Sequence, residues 1–154
     1  MIKVLMICMG NICRSPLAEG LLKTLVAEAG RSSEIHVDSA GTHFYHIGCL
    51  PDARSIEVAQ AHGIDLSDQR ARQLTADDFH AFDYLLVMDK RNLRDASLLA
   101  PTPDLAQKLT LFLDYSQDDW IETEVPDPYY GGQDGFEQVY QLLLSASRGF
   151  LQTL

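Results

Sequence analysis

A cysteine and an arginine separated by five residues, Cys8 and Arg14, bracket the segment Cys8-Met-Gly-Asn-Ile-Cys-Arg-Ser-Pro16. Cysteine sulfur is a strong nucleophile, and guanidinium presents a planar fork that fits two oxygens of a phosphoryl group at once. That spacing alone is a weak signal; its surroundings make it informative. The apolar run Ile2 to Ile7 reads as a buried strand that delivers Cys8 to a tight loop. Gly10-Asn11 lets the backbone turn with positive φ, while Ser15-Pro16 reads as an N-cap followed by the first helical residue. Successive N–H groups of such a loop, backed by the positive end of a helix, converge on one point and hold an anion. Arg14 then stands at a helix start, where a cation is unfavourable unless it serves an anion. A nucleophile is placed where a phosphate sits.

Displacing phosphate from an ester also requires a proton for the leaving oxygen, and a carboxylic acid supplies one. Asp127, in Asp127-Pro-Tyr-Tyr-Gly131, is the candidate acid, although Asp-Pro is also an ordinary turn starter. Tyr129 and Tyr130 beside it, with Tyr45, Met9 and Ile12 opposite, would wall a slot for a flat leaving group. Cys13 is either a small apolar residue packed under the loop or a resolving thiol. If the loop curls, the Cα atoms of Cys8 and Cys13 fall within the roughly 4.4–6.8 Å that a disulfide requires. His36, His43, His46, His62 and His80 are scattered and read as structural or solvated.

The elements that must position these groups follow from periodicity. Leu17, Leu21, Leu22, Leu25 and Ala29 place one apolar stripe on a helix from Pro16 to Ala29, stopped by Gly30. Ile35–Asp38 reads as a second strand ending in Ser39, and Tyr84–Met88 as a third with Asp89 at its carboxyl end. Lys108–Leu113 reads as a fourth. Helices are expected from Pro51 to His62, around Phe79 behind a Thr75 cap, from Asn92 to Leu99, and after a candidate cap at Asp134. Strands alternating with helices imply an α/β fold, a parallel sheet covered on both faces. Ligands in such sheets bind at the carboxyl ends of the strands, where Cys8, Ser39 and Asp89 would all lie.

Composition narrows the function classes. The 154 residues read as a single domain, residues 1–154, with a hydrophobic content of 46%. A net charge of −10 argues against nucleic acid and against anionic membranes as partners. Three cysteines without a C-x-x-C pair give neither a disulfide framework nor a metal site. No apolar run is long enough to span a membrane. The short apolar N-terminal run leading into Gly-Asn makes a signal peptide an unsatisfactory reading, so a cytoplasmic location is expected. The dinucleotide and P-loop glycine motifs are missing, so no cofactor is expected.

The chain resembles the low-molecular-weight protein tyrosine phosphatases. The resemblance rests on Cys8 to Pro16, Val37-Asp-Ser-Ala-Gly-Thr42, Met88-Asp89 with Asn92-Leu-Arg-Asp95, and Asp127-Pro-Tyr-Tyr-Gly131, in the family's order and over essentially the whole chain. It implies a four-stranded sheet in the order 2-1-3-4 with a phosphate-binding loop after strand 1. It also implies a phosphocysteine mechanism with Cys8 as nucleophile, Arg14 as phosphate clamp and Asp127 as general acid and base, without a metal. Met9, Gly10, Asn11, Ile12, Cys13, Ser15, Tyr45, Tyr129 and Tyr130 would bind substrate, with Ser39 and Asp89 in support; Asn11 would brace the loop through Ser39. Substrates would be phosphotyrosine proteins, and inorganic phosphate or vanadate would inhibit. Gln69 stands where many members carry histidine. An arginine phosphatase is the alternative, although those typically carry threonine where Ile12 stands and lack the tandem tyrosines. An arsenate reductase would need further cysteines as a relay, and none follows Cys49.

Overall fold

Four parallel strands, β1 (Ile2–Cys8), β2 (Ile35–Gly41), β3 (Tyr84–Val87) and β4 (Leu109–Leu111), form one sheet in the order β2-β1-β3-β4. This computed structural model describes residues 1–119, 123–129 and 131–154. Around the sheet lie α1 (Arg14–Glu28), α2 (Ala53–Ala61), α3 (Asp78–Ala81), α4 (Lys90–Ser97), α5 (Pro103–Ala106) and α6 (Gln133–Gln152). The strand order is the one that the resemblance implies.

Strand β1 lies between β2 and β3, and its side chains alternate between two cores. Val4, Met6 and Cys8 join Leu17 and Leu21 of α1 and Phe136 and Phe150 of α6 on one face. Leu5 and Ile7 join Phe79, Leu85, Val87 and Leu109 on the other. Val4 through Ile7 have no solvent exposure, which is why the segment reads as a continuous apolar run. Each such side chain contributes about 1.5–3 kcal/mol by leaving water. The end of β1 is therefore a fixed platform, and Cys8 is its last residue.

Several boundaries differ from the sequence expectation. Ser15 is not an N-cap: α1 begins at Arg14, and Cys13 occupies the cap position without a side-chain bond. The Ser15 hydroxyl is committed to Cys8 and Asn11 instead. Pro16 sits in the third helical position, where a missing N–H breaks no intrahelical bond. Positive φ is confined in this loop to Asn11, at 57°. Gly10 instead supplies room, since a Cβ there would lie 3.0 Å from His46 Cδ2. Strand β2 runs on through Ser39 to Gly41. Helix α2 begins after a cap at Asp52, whose Oδ1 accepts from the Arg54 N–H at 2.9 Å.

Thr75 donates to Asp78 Oδ2 from its N–H at 2.8 Å and its hydroxyl at 3.2 Å, so Asp78 reaches back to it. Helix α4 starts at Lys90, two residues earlier than expected, because Asp89 caps it. Strand β4 ends at Leu111 and tightens into a 3-10 turn over Phe112–Tyr115. Gly132, not Asp134, precedes α6; Asp134 lies in its first turn, where a negative charge is still favoured.

Candidate active site

Cys8 leaves β1 at the carboxyl edge of the sheet, and the chain curls through residues 9–13 into α1. Cys8 Sγ lies 3.0 Å from Ser15 Oγ. Asn11 is 2% exposed, and its left-handed backbone turns the side chain under the loop. Its Nδ2 donates to Ser15 Oγ at 2.8 Å and to Ser39 Oγ at 3.0 Å, while its Oδ1 accepts from the Arg72 N–H at 3.0 Å. Because Ser15 Oγ accepts from Asn11, its own O–H is left to donate to the Cys8 sulfur. Ser39 in turn donates to Glu19 Oε1 at 2.6 Å. A continuous chain of bonds thus runs from the Cys8 sulfur to a buried carboxyl. Burial pushes the Glu19 pKa up, against the opposing pull of Lys23 and Ser39.

Arg14 is also 2% exposed. Its Nη1 donates to Asp89 Oδ2 at 2.6 Å and to the Val125 carbonyl at 2.9 Å, which fixes the plane of the guanidinium. Burial works against the Arg14 charge, but Cys8, Asp89 and Asp127 outweigh it and hold the pKa above the ordinary arginine value. Asp89 does two jobs, since its Oδ1 accepts from the Asn92 N–H at 2.7 Å and so caps α4. Val125 also donates its N–H to the Met88 carbonyl at 2.8 Å, tying the segment before Asp127 to the end of β3.

Asp127 Oδ2 lies 3.8 Å from Arg14 Nη2, and its Oδ1 accepts from the Tyr129 N–H at 3.0 Å. Arg54 holds this segment from the other side. Its Nη2 donates to the Tyr129 carbonyl at 2.8 Å and its Nη1 to the Gly131 carbonyl at 3.1 Å. Asp52 grips the same guanidinium at 3.0 and 3.1 Å, and the Phe136 ring stacks on it with 4.6 Å from ring centre to Cζ. Arg54 lowers the Asp52 pKa through these bonds.

These parts surround a cleft of ≈ 470 Å³ lined by Cys8, Met9, Gly10, Ile12, Cys13, Arg14, Tyr45, Asp127 and Tyr129, together with His46 and Arg91. Asn11, Ser15 and Ser39 are buried beneath the loop rather than on the wall, and Asp89 stands off the wall as the cap of α4 that grips Arg14. Tyr130 lies outside the described residues. Sequence reasoning missed Arg54, Arg91 and His46, the last having been read as structural or solvated. Arg54 reaches groups 75 and 77 residues away, a relation that no local pattern reveals. Gln69, at the position of the family's histidine, donates to the Pro16 carbonyl at 3.0 Å and so touches the start of α1. Cys13 is buried, which pushes its thiol pKa well above the ordinary value, with Asp52 and Cys8 adding to the effect.

A thiol, a guanidinium, a carboxyl and two aromatic rings thus line one cleft. Comparison with known proteins agrees in kind. The family model described as low molecular weight phosphotyrosine protein phosphatase matches residues 3–154. The low molecular weight phosphotyrosine protein phosphatase of Schizosaccharomyces pombe is 41% identical over 154 residues, covering 99% of this chain and 97% of its own. A protein tyrosine phosphatase from Entamoeba histolytica, solved with Hepes in its active site, superposes with a TM-score of 0.94 at 35% identity, with 99% and 96% of the two chains covered. A Drosophila arginine phosphatase superposes with a TM-score of 0.90, also at 35% identity, covering 99% and 97%.

Proposed function

Because this chain belongs to the low molecular weight phosphotyrosine protein phosphatase family and is a protein tyrosine phosphatase, a phosphoric monoester hydrolase, we propose that it works through a phosphocysteine on Cys8. In the first step Cys8 Sγ attacks phosphorus while the bond to the phenolic oxygen breaks and Asp127 gives that oxygen its proton. Arg14 and the loop N–H groups hold the three equatorial oxygens throughout. In the second step the Asp127 carboxylate takes a proton from water, the water oxygen attacks phosphorus, and the S–P bond breaks to release phosphate. Ser15 stabilises the departing sulfur through the hydroxyl that Asn11 orients. Free phosphate or vanadate would occupy the same cradle and inhibit.

The observation that carries this reading is the convergence on one cleft of the Cys8 sulfur, the Asp89-fixed Arg14 guanidinium and the Asp127 carboxyl. The Drosophila neighbour keeps phosphoarginine as a second reading. Ile12 on the cleft wall and the aromatic Tyr45 and Tyr129 favour a phenyl ring over a guanidino group. Rates on phosphotyrosine, phosphoarginine and arsenate, measured side by side, test it. Phosphotyrosine should give the highest kcat/KM by well over tenfold, and a higher value on phosphoarginine would reverse the assignment.

We further propose that the chain acts as one domain in the cytoplasm, in keeping with three unbridged thiols. No helix among the described residues is long and apolar enough to cross a membrane. Peroxide would convert the Cys8 thiolate to a sulfenic acid with loss of hydroxide. The Cys13 thiol would then displace water to close a Cys8–Cys13 disulfide, which a dithiol reductant reopens. Since burial keeps Cys13 neutral, closure should be slower than oxidation. If Cys13→Ser regains activity after peroxide and dithiothreitol as fully as wild type, Cys13 has no protective role.

A further inference from the structure

Arg91, in the first turn of α4, lines the cleft and is exposed, and among the described residues its guanidinium makes no hydrogen bond or ion pair. Its natural partner one turn on, Asp95, is engaged elsewhere, with His43 Nε2 at 3.6 Å and Arg94 Nε at 3.7 Å. The carboxylate of Glu124 accepts from the Lys90 backbone N–H. Arg14, the other cation of the cleft, is already committed to Asp89. Among the described residues Arg91 is therefore an unpaired cation on the wall of the cleft, on a protein of net charge −10. Overall charge would repel acidic partners, so an exposed cation on the cleft wall acts against the general field where substrate arrives.

We propose that Arg91 selects phosphotyrosine sites flanked by acidic residues, its guanidinium pairing with an Asp or Glu side chain beside the phosphotyrosine. This inference rests on the phosphotyrosine reading above. A partly exposed charge pair of this kind favours the acidic sequence by roughly two- to fivefold. The effect should weaken as salt screens it.

The experiment compares kcat/KM for two phosphotyrosine peptides that differ only in flanking residues, Asp in one and Lys in the other. Both are measured on wild type, Arg91→Ala and Arg91→Glu, so that the ratio within each variant is independent of its overall activity. Wild type should favour the Asp peptide at low salt, Arg91→Ala should lose the preference, and Arg91→Glu should favour the Lys peptide. A wild-type preference for Lys, or a ratio that Arg91→Glu leaves unmoved, overturns the inference while the phosphotyrosine reading stands. Wild type that turns over neither peptide overturns the reading itself and the inference with it.

Discussion

At the scale of single residues, the site works because each reacting group is held by something other than the substrate. Arg14 spends Nη1 on Asp89 and Val125, leaving the rest of its fork toward the cleft. Lysine keeps the charge but has no fork to divide between these tasks. Arg14→Lys should lower kcat/KM by about 10²–10³-fold, the usual cost of losing an oriented donor at a developing charge. A drop of less than tenfold would mean that charge alone suffices. Asp127→Asn keeps the shape and the Tyr129 N–H bond but removes the transferable proton. Its kcat should fall most for esters whose phenols are poor leaving groups and least for p-nitrophenyl phosphate. A uniform loss across leaving groups would place the acid elsewhere. Cys8 and Arg14 stood out through the strand, Gly-Asn turn and helix start around them and Asp127 through the resemblance, and the structure brings all three to one cleft. Arg54 and Arg91 did not stand out, since an arginine in a helix reads the same whether it faces water or a cleft.

At the scale of elements, Asp89 joins β3, α4 and the site, and two substitutions separate its roles. Asparagine still accepts a bond and caps a helix well, whereas alanine does not, at a typical cost of about 1 kcal/mol. Asp89→Asn should therefore keep the cap while losing activity and some stability, because the buried Arg14 guanidinium loses its counter-charge. Asp89→Ala should lose the cap as well. If the two variants melt alike, the cap bond to Asn92 contributes little. Arg54 tests the segment that carries the acid. Arg54→Ala releases the Tyr129 and Gly131 carbonyls, and kcat on phosphotyrosine should fall at least tenfold while phosphate still binds the loop; unaltered kcat would show that Asp127 needs no brace from α2. The parallel sheet and the large helices were legible because Val4 to Ile7 form an apolar run and α6 repeats at helical spacing, whereas the strand order came from the resemblance alone. Cap positions were less legible. Ser15 and Asp134 have the right type for caps, but Ser15 has been drawn into the sulfur's hydrogen-bond chain and Gly132 takes the position before α6.

At the scale of the whole molecule, stability and chemistry share the buried bond chain under the loop. Glu19 lies at its far end with a raised pKa, so the folded protein keeps that proton to higher pH than the unfolded chain does. Its contribution is absent below the ordinary carboxylate range and becomes destabilising as pH rises through it. Glu19→Gln should accordingly melt higher than wild type near about pH 7, with the gap closing below about pH 4. The opposite order would mean that the ionised carboxylate, held by Lys23 and Ser39, is net favourable. On the proposed mechanism, the loop that Glu19 helps to hold presents one sulfur to phosphorus. Wild type mixed with a phosphotyrosine substrate, denatured in alkali within a turnover and digested without acid, should carry a phosphoryl group on the peptide containing Cys8. Turnover with no phosphoryl group on Cys8, or with the group on another residue, would contradict the mechanism.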